Sequence, residues 1–291
     1  MSDTIDPGLP LGYRIGFGRS AEVFQYGSDH VLKLYRLPWE PAAVANEFAA
    51  ARRAHALGLP VPEPLALLER DARAGIVFER MPGPIMHKAY IRNPLRYLLG
   101  LRRMALLQRD IHAHTAADLP HLREPIRRQI VEARVSDDVK RVALAVLDRL
   151  PRGSGLCHGD LHPDNVIVTP AGLRAIDWQK AGIGTPAADV ARSALLLRYG
   201  SVDLGRIGRF LPLGVIRALL AELYIGWYCQ AAGVRHAEVR AWFLPMLVSR
   251  LYGQRAGNEA EVRAAVERLA IRATRCRRLW RATGVQPCGA C

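Results

Sequence analysis

Residues 158–165 read His-Gly-Asp-Leu-His-Pro-Asp-Asn, which sets Asp160 and Asn165 five positions apart, and another acid, Asp177, follows downstream. Between them come the apolar Val166-Ile167-Val168, the turn-forming Thr169-Pro170-Ala171-Gly172 and a second strand-like run at 173–176. Strand, turn and strand make a hairpin. A hairpin sets the start of its first strand beside the end of its second, so Asn165 and Asp177 meet at the open end, with Asp160 on the loop that leads in. Two oxygen donors of the type magnesium prefers, beside a further carboxylate, are what phosphoryl transfer needs: ligands for the cation that holds a triphosphate and a base to orient a hydroxyl. Each of these residues alone is an ordinary turn former. Their joint placement, with His158 two residues before Asp160, makes a coincidence of turn formers the weaker reading.

The elements that must position these residues differ along the chain. Residues 11–15, 21–26 and 31–35 are short strand-like runs separated by Gly16-Phe17-Gly18 and Gly27-Ser28-Asp29, which predicts an antiparallel meander. Pro41 opens an alanine-rich helix that runs to Leu57 and stops at Gly58, with Pro60 just beyond. Strands at 65–68 and 76–79 follow, and then the break Pro82-Gly83-Pro84. After the break, apolar periodicity predicts helices over 95–114, 139–150, 186–198, 215–232, 239–252 and 259–281. The fold class is therefore α+β, with a small sheet-rich lobe over residues 1–82 and a larger, mainly helical lobe over 83–291.

Lys33 interrupts the apolar run 31–34, where a buried ammonium needs a partner. The helix that follows offers two acids. Glu40 falls at its very start, whereas Glu47 has Val44, Phe48 and Ala51 as helical neighbours and leans toward the packed face. Pairing Lys33 with Glu47 relieves two charges that would each be costly alone. The alternative is a lysine that snorkels to the surface and a glutamate on a solvated face.

The octapeptide at 158–165, with Ala-Ile-Asp-Trp-Gln at 175–179 and Gly-x-Pro-x-x-Asp-Val-Ala at 184–191, resembles the aminoglycoside phosphotransferase family of small-molecule kinases, which is related to choline kinases. The resemblance is strongest over 156–191 and fair over 15–64. It implies a two-lobed protein-kinase-like fold, with an antiparallel-sheet N-lobe carrying one helix and a mainly helical C-lobe. It also implies ATP and Mg as cofactors, Asp160 as catalytic base, Asn165 and Asp177 as magnesium ligands, His158 as an anchor of the loop and Asp189 as its brace. His162 stands where many protein kinases carry a phosphate-contacting lysine, so it serves either the γ-phosphate or packing.

Residues 16–23 resemble the kinase glycine-rich loop with Ala21 in place of the third glycine, so Gly16, Gly18 and Ser20 would face phosphate oxygens. The family pattern gives Lys33 and Glu47 to the α- and β-phosphates and the hinge at Glu79 to Met81 to adenine. Val23, Ile167 and Ile176 are the candidates for the apolar walls around the base.

Only residues 178–188 separate Asp177 from Asp189, too few for the activation segment with which protein kinases dock a peptide. The expected partner is a small-molecule hydroxyl acceptor (a metabolite, sugar or antibiotic), not a protein. Residues 181–291 carry sixteen arginines and seven acids, which favours a neutral or anionic acceptor over a polycation. Tyr224, Trp227, Tyr228, Trp242 and Phe243 could line an acceptor pocket, although aromatics at helical spacing are more often core.

The whole chain has 291 residues and a formal net charge of +14, which invites a nucleic-acid reading. Of its 41 basic residues only Lys33, Lys88, Lys140 and Lys180 are lysines. That arginine bias matches GC-rich coding, and the arginines are spread along the chain, so nucleic-acid binding stays a minor alternative. A nucleotide-binding pseudokinase scaffold is another, opposed by the intact Lys33, Asp160, Asn165 and Asp177. The most apolar stretch, 211–234, is interrupted by Arg217 and Glu222, so no membrane span is expected. The first ten residues lack a basic stretch followed by an apolar core, which points to a cytoplasmic protein. Five cysteines without an export signal read as reduced thiols. Cys288 and Cys291 have zinc-ligand spacing but no second pair, and read as part of a frayed tail.

Overall fold

The computed structural model describes residues 9–38, 40–200, 213–253 and 258–283, the last eight of these by backbone alone. Cys288 and Cys291 therefore lie outside the described residues. The chain divides into two compact units: Met1–Gly100 with Ala116–Pro120 and His158–Gly182, and Leu101–Thr115 with His121–Cys157 and Ile183–Cys291.

The first unit is built on five strands, β1 (Arg14–Phe17), β2 (Ala21–Tyr26), β3 (His30–Tyr35), β4 (Pro64–Arg70) and β5 (Arg73–Glu79), with helix α1 (Pro41–Ala56) between β3 and β4. The sheet order is β1-β2-β3-β5-β4, and every pairing is antiparallel. Alternation along the strands gives the sheet two apolar faces. On one, Val44 and Phe48 of α1 pack with Ala21, Tyr35 and Ile76. On the other, Tyr26, Leu32, Leu34 and Val77 gather Leu9, Leu11, Leu65 and Leu68. Burying such side chains stabilises by about 1.5–3 kcal/mol each.

β1 starts three residues later than expected: Gly12 and Tyr13 still bond the Gln25 backbone of β2, at 3.0 and 3.1 Å, and the register shifts between Arg14 and Gly16. The turn accordingly falls at 18–20. Phe17 closes the strand with the guanidinium groups of Arg14 and Arg36 over its ring, at 5.0 and 3.9 Å from the centroid. After β5 the chain forms the short helix α2 (Met86–Tyr90) and enters α3 (Pro94–His112).

The second unit is mainly helical, with α4 (Arg123–Val131), α5 (Asp137–Arg149), strand β6 (Gly155–Cys157) and, after the hairpin β7 (Val166–Thr169) and β8 (Gly172–Ala175) of the first unit and the short β9 (Gly182–Gly184), helices α6 (Pro186–Tyr199), α7 (Leu213–Ala232), α8 (His236–Ala241), α9 (Phe243–Arg250) and α10 (Glu259–Thr283). At its centre lies α9, buried from Leu244 to Ser249 and packed by α4, α5, α6 and α10. The single helix expected over 239–252 is two, α8 and α9. Pro245 has no N–H to give the Ala241 carbonyl, so the helix breaks one turn before it. No helix among the described residues is long and apolar enough to cross a membrane.

Candidate active site

The hairpin forms as expected. β7 and β8 pair from Val166 with Ala175 to Thr169 with Gly172, and the Ile176 N–H donates to the Asn165 carbonyl at 3.0 Å across the open end. Asp177 comes next, at φ 65 and ψ 65. That left-handed conformation costs a non-glycine residue about 1–3 kcal/mol and persists only where its surroundings enforce it. Here the Lys33 Nζ donates to Asp177 Oδ1 at 2.6 Å.

His158, wholly buried, fastens the preceding loop to the same segment. Its Nε2 bonds the Ile176 carbonyl at 3.0 Å, its Nδ1 accepts the Asp160 N–H at 3.3 Å, and its ring lies 4.7 Å from that of Trp178. The two bonds together fit the neutral imidazole with its proton on Nε2. Gly159 takes φ 76, and a Cβ there would meet the Lys180 carbonyl at 2.0 Å, so only glycine lets the loop press this closely against residues 178–180.

Asn165 donates through Nδ2 to the Asp160 carbonyl at 3.0 Å, which turns its amide oxygen away from that bond. Asp177 keeps its second carboxylate oxygen outside the Lys33 bond. The donor set at the open end of the hairpin is thus all oxygen, one amide and one carboxylate, and its chemistry fits a hard cation such as magnesium.

Lys33 is also bonded to both oxygens of Glu47, at 2.7 and 2.9 Å. The pairing expected from the sequence is present, and it is deeply buried: the Glu47 side chain is 1% exposed and that of Lys33 12%. Two carboxylates therefore share one ammonium. Burial alone would depress the Lys33 pKa, but Glu47 and Asp177 outweigh it and hold the ammonium above its usual range. Burial pushes the Glu47 carboxyl up, with Lys33 opposing and Asp177 adding to the rise. Asp177 also feels burial, yet Lys33 holds it below the usual carboxylate range.

Val23 lies opposite Lys33 in the β2–β3 register, and Gly16 opposite Val23 on β1, so these candidates share one strip of the sheet. The turn uses the Gly18 N–H on the Ala21 carbonyl at 2.9 Å, and the Ser20 carbonyl accepts from the Arg36 N–H at 2.8 Å. Glu79 ends β5, with its side chain on the Glu63 N–H, and Met81 follows two residues on. At Gly83, φ 147, a Cβ would fall 1.9 Å from the Val168 carbonyl, so β7 runs directly against the segment after β5 and Ile167 packs beside it. Ile176 closes the hairpin. His162 caps the 163–165 turn by accepting the Asp164 N–H at 3.4 Å, a local structural task.

Three residues without an assigned role in the sequence belong to this cluster. The Lys180 Nζ donates to Asp160 Oδ2 at 2.6 Å. Asn46, beside Glu47 on α1, donates through Nδ2 to the carbonyls of Gln179 and Ala181, both at 3.1 Å. Tyr35 bonds Glu47 through its hydroxyl. A signal for Lys180 existed in its residue type, since lysine is rare in a chain that otherwise uses arginine.

Asp189, in the second unit, accepts from Gln108 Nε2 at 3.0 Å and bonds His112 Nε2 at 3.0 Å, while the Tyr224 hydroxyl donates to Gln108 and that of Tyr228 bonds His112 Nδ1. Tyr224, Tyr228 and Trp242 are buried, so these aromatics are core. Burial also pushes the Cys157 thiol of this unit well up, and the nearby Asp189 adds to it.

Comparison with known proteins gives the family and the fold. The model of the phosphotransferase enzyme family (APH) matches residues 13–206. A viomycin phosphotransferase from Streptomyces vinaceus is 36% identical over 125 residues, 41% of this chain and 37% of the relative. An aminoglycoside 3'-phosphotransferase from Streptomyces fradiae is 31% identical over 161 residues, 48% of this chain and 59% of the relative. The matched stretches thus span between about a third and three fifths of those relatives. A choline/ethanolamine kinase family protein from Mesorhizobium loti superposes with a TM-score of 0.59 at 22% identity, over 91% of this chain and 87% of that one. That likeness shows the fold, which is the α+β kinase-like fold expected from the sequence.

Proposed function

From the premise that this chain belongs to the phosphotransferase enzyme family, we propose that it transfers the γ-phosphoryl group of ATP, with magnesium, to a hydroxyl of a small molecule. The observation that carries this reading is the continuous cluster of Asp160, Asn165, Asp177, Lys33 and Glu47 within one compact unit.

Lys33, held by Glu47, would meet the α- and β-phosphates as a fixed positive charge. Asn165 and Asp177 would hold the magnesium ion, which neutralises charge on the triphosphate. Asp160 would orient the acceptor hydroxyl and take its proton as the acceptor oxygen bonds to the γ-phosphorus, while the bond to ADP breaks and ADP leaves with the electron pair. Lys180, bonded to Asp160, would keep that carboxylate aimed.

The acceptor class rests on chemistry in the second unit. Glu222, Glu238 and Glu259 are each paired with an arginine, Arg240, Arg235 and Arg263, at 2.5–2.7 Å, which supports a neutral or anionic acceptor. The named substrate of the Streptomyces fradiae relative argues for a cationic one, and an acceptor panel separates the two. The nucleotide half of the proposal is tested by thermal melting. Magnesium-ATP should raise Tm in proportion to the logarithm of its concentration above Kd. No shift at millimolar nucleotide, with or without metal, contradicts the reading.

A further inference from the structure

We propose that Tyr35 is a positioning residue for the nucleotide: its hydroxyl fixes the Glu47 carboxylate so that Lys33 stays in place when phosphates and the cation compete for Lys33 and Asp177. The proposal rests on the nucleotide-binding reading above and names a residue which that reading does not use.

Lys33 and Tyr35 are two apart on β3, so their side chains leave the same face of the sheet. On that face Glu47 arrives from α1. Its Oε1 receives Lys33 at 2.7 Å, and its Oε2 receives both Lys33, at 2.9 Å, and the Tyr35 hydroxyl. The Lys33 ammonium also lies 5.5 Å from the centre of the Tyr35 ring. Tyr35 is held rigidly. It is 1% exposed, packs with Val44, Ile76 and Phe48, and its carbonyl accepts from Arg73 Nε at 2.7 Å.

Lys33 faces two carboxylates, Glu47 and Asp177. A triphosphate would draw the ammonium toward its own oxygens, which weakens its hold on Glu47, while a cation would draw Asp177 away from Lys33. The Tyr35 hydroxyl is a neutral donor that neither ligand competes for. It therefore keeps a wholly buried carboxylate satisfied and oriented through the exchange.

The test is Tyr35→Phe, which removes one oxygen and leaves the ring. The KM for magnesium-ATP should rise about three- to tenfold, with the acceptor KM unchanged and kcat within about twofold. A cycle with Glu47→Gln supplies the readout that a merely structural hydroxyl would not move. Once residue 47 carries no charge, removing the hydroxyl should not raise the nucleotide KM again. An unchanged KM in Tyr35→Phe, or an equal rise in both backgrounds, overturns the proposal. If Tyr35→Phe does not fold, the double variant should fold, because the donor and the buried charge leave together; a double variant that is equally unstable overturns it as well. Wild-type protein without magnesium-ATP turnover would instead defeat the reading on which this inference stands.

Discussion

Lys180 Nζ and Asp160 Oδ2 are 2.6 Å apart, and the lysine that makes this contact sits three residues after Asp177. The segment that carries a candidate metal ligand therefore also supplies the counter-charge of the candidate base. Lys180 is half exposed, so its electrostatic effect is screened. Lys180→Met should lower kcat about tenfold, leave the nucleotide KM within about twofold, and leave Tm nearly unchanged. Lys180→Arg should recover most of the rate. Full activity in Lys180→Met would remove this lysine from the mechanism.

Asp177→Ala tests the metal assignment. Without this carboxylate the magnesium-dependent part of nucleotide binding should fall at least about tenfold, or about 1.4 kcal/mol. A chelator should impose the same loss on the wild type and no further loss on the variant. If the chelator weakened both proteins equally, the cation would be held elsewhere.

Lys33→Met and Glu47→Gln test the buried pair. Each alone strands a partner, so a double-mutant cycle on nucleotide affinity should show coupling of about 1–3 kcal/mol. Strictly additive losses would contradict the contact seen between them.

Asp189→Ala addresses stability. Its carboxylate serves both Gln108 and His112, and all three are buried or nearly so. Removing it leaves two side chains short of an acceptor, at a cost of about 2–3 kcal/mol. For a chain of this size, calorimetry should record a Tm lower by about 5–10 °C. A change of under 2 °C would mean that the network relaxes around the loss.

The parts of this fold written in local sequence were legible in advance. Turn chemistry and alternation located the hairpin that unites Asn165 and Asp177, and the cost of a lone buried charge paired Lys33 with Glu47 across fourteen residues. What escaped depends on contacts distant in sequence. The helix α4 was missed because Arg123, charged and yet buried, breaks the apolar pattern; its guanidinium donates to the carbonyls of Leu147, Leu150 and Pro151, where α5 ends. Asn46 and Tyr35 carry no local pattern that marks them; only the packed structure sets one against Gln179 and the other against Glu47.

If the enzyme works as proposed, phosphoryl transfer depends on both an acceptor and Asp160. Its most direct measurement is ADP release by the purified protein with magnesium-ATP across aminoglycosides, macrolides, choline, homoserine and sugars, with Asp160→Asn as the blank. At least one hydroxyl acceptor, neutral or anionic, should stimulate release, and Asp160→Asn should bind nucleotide almost normally while losing about 100- to 10,000-fold in kcat. A polycationic aminoglycoside acting at micromolar concentration would overturn the acceptor class and keep the enzyme class. Near-normal turnover by Asp160→Asn with the same acceptor would mean that transfer does not run through Asp160.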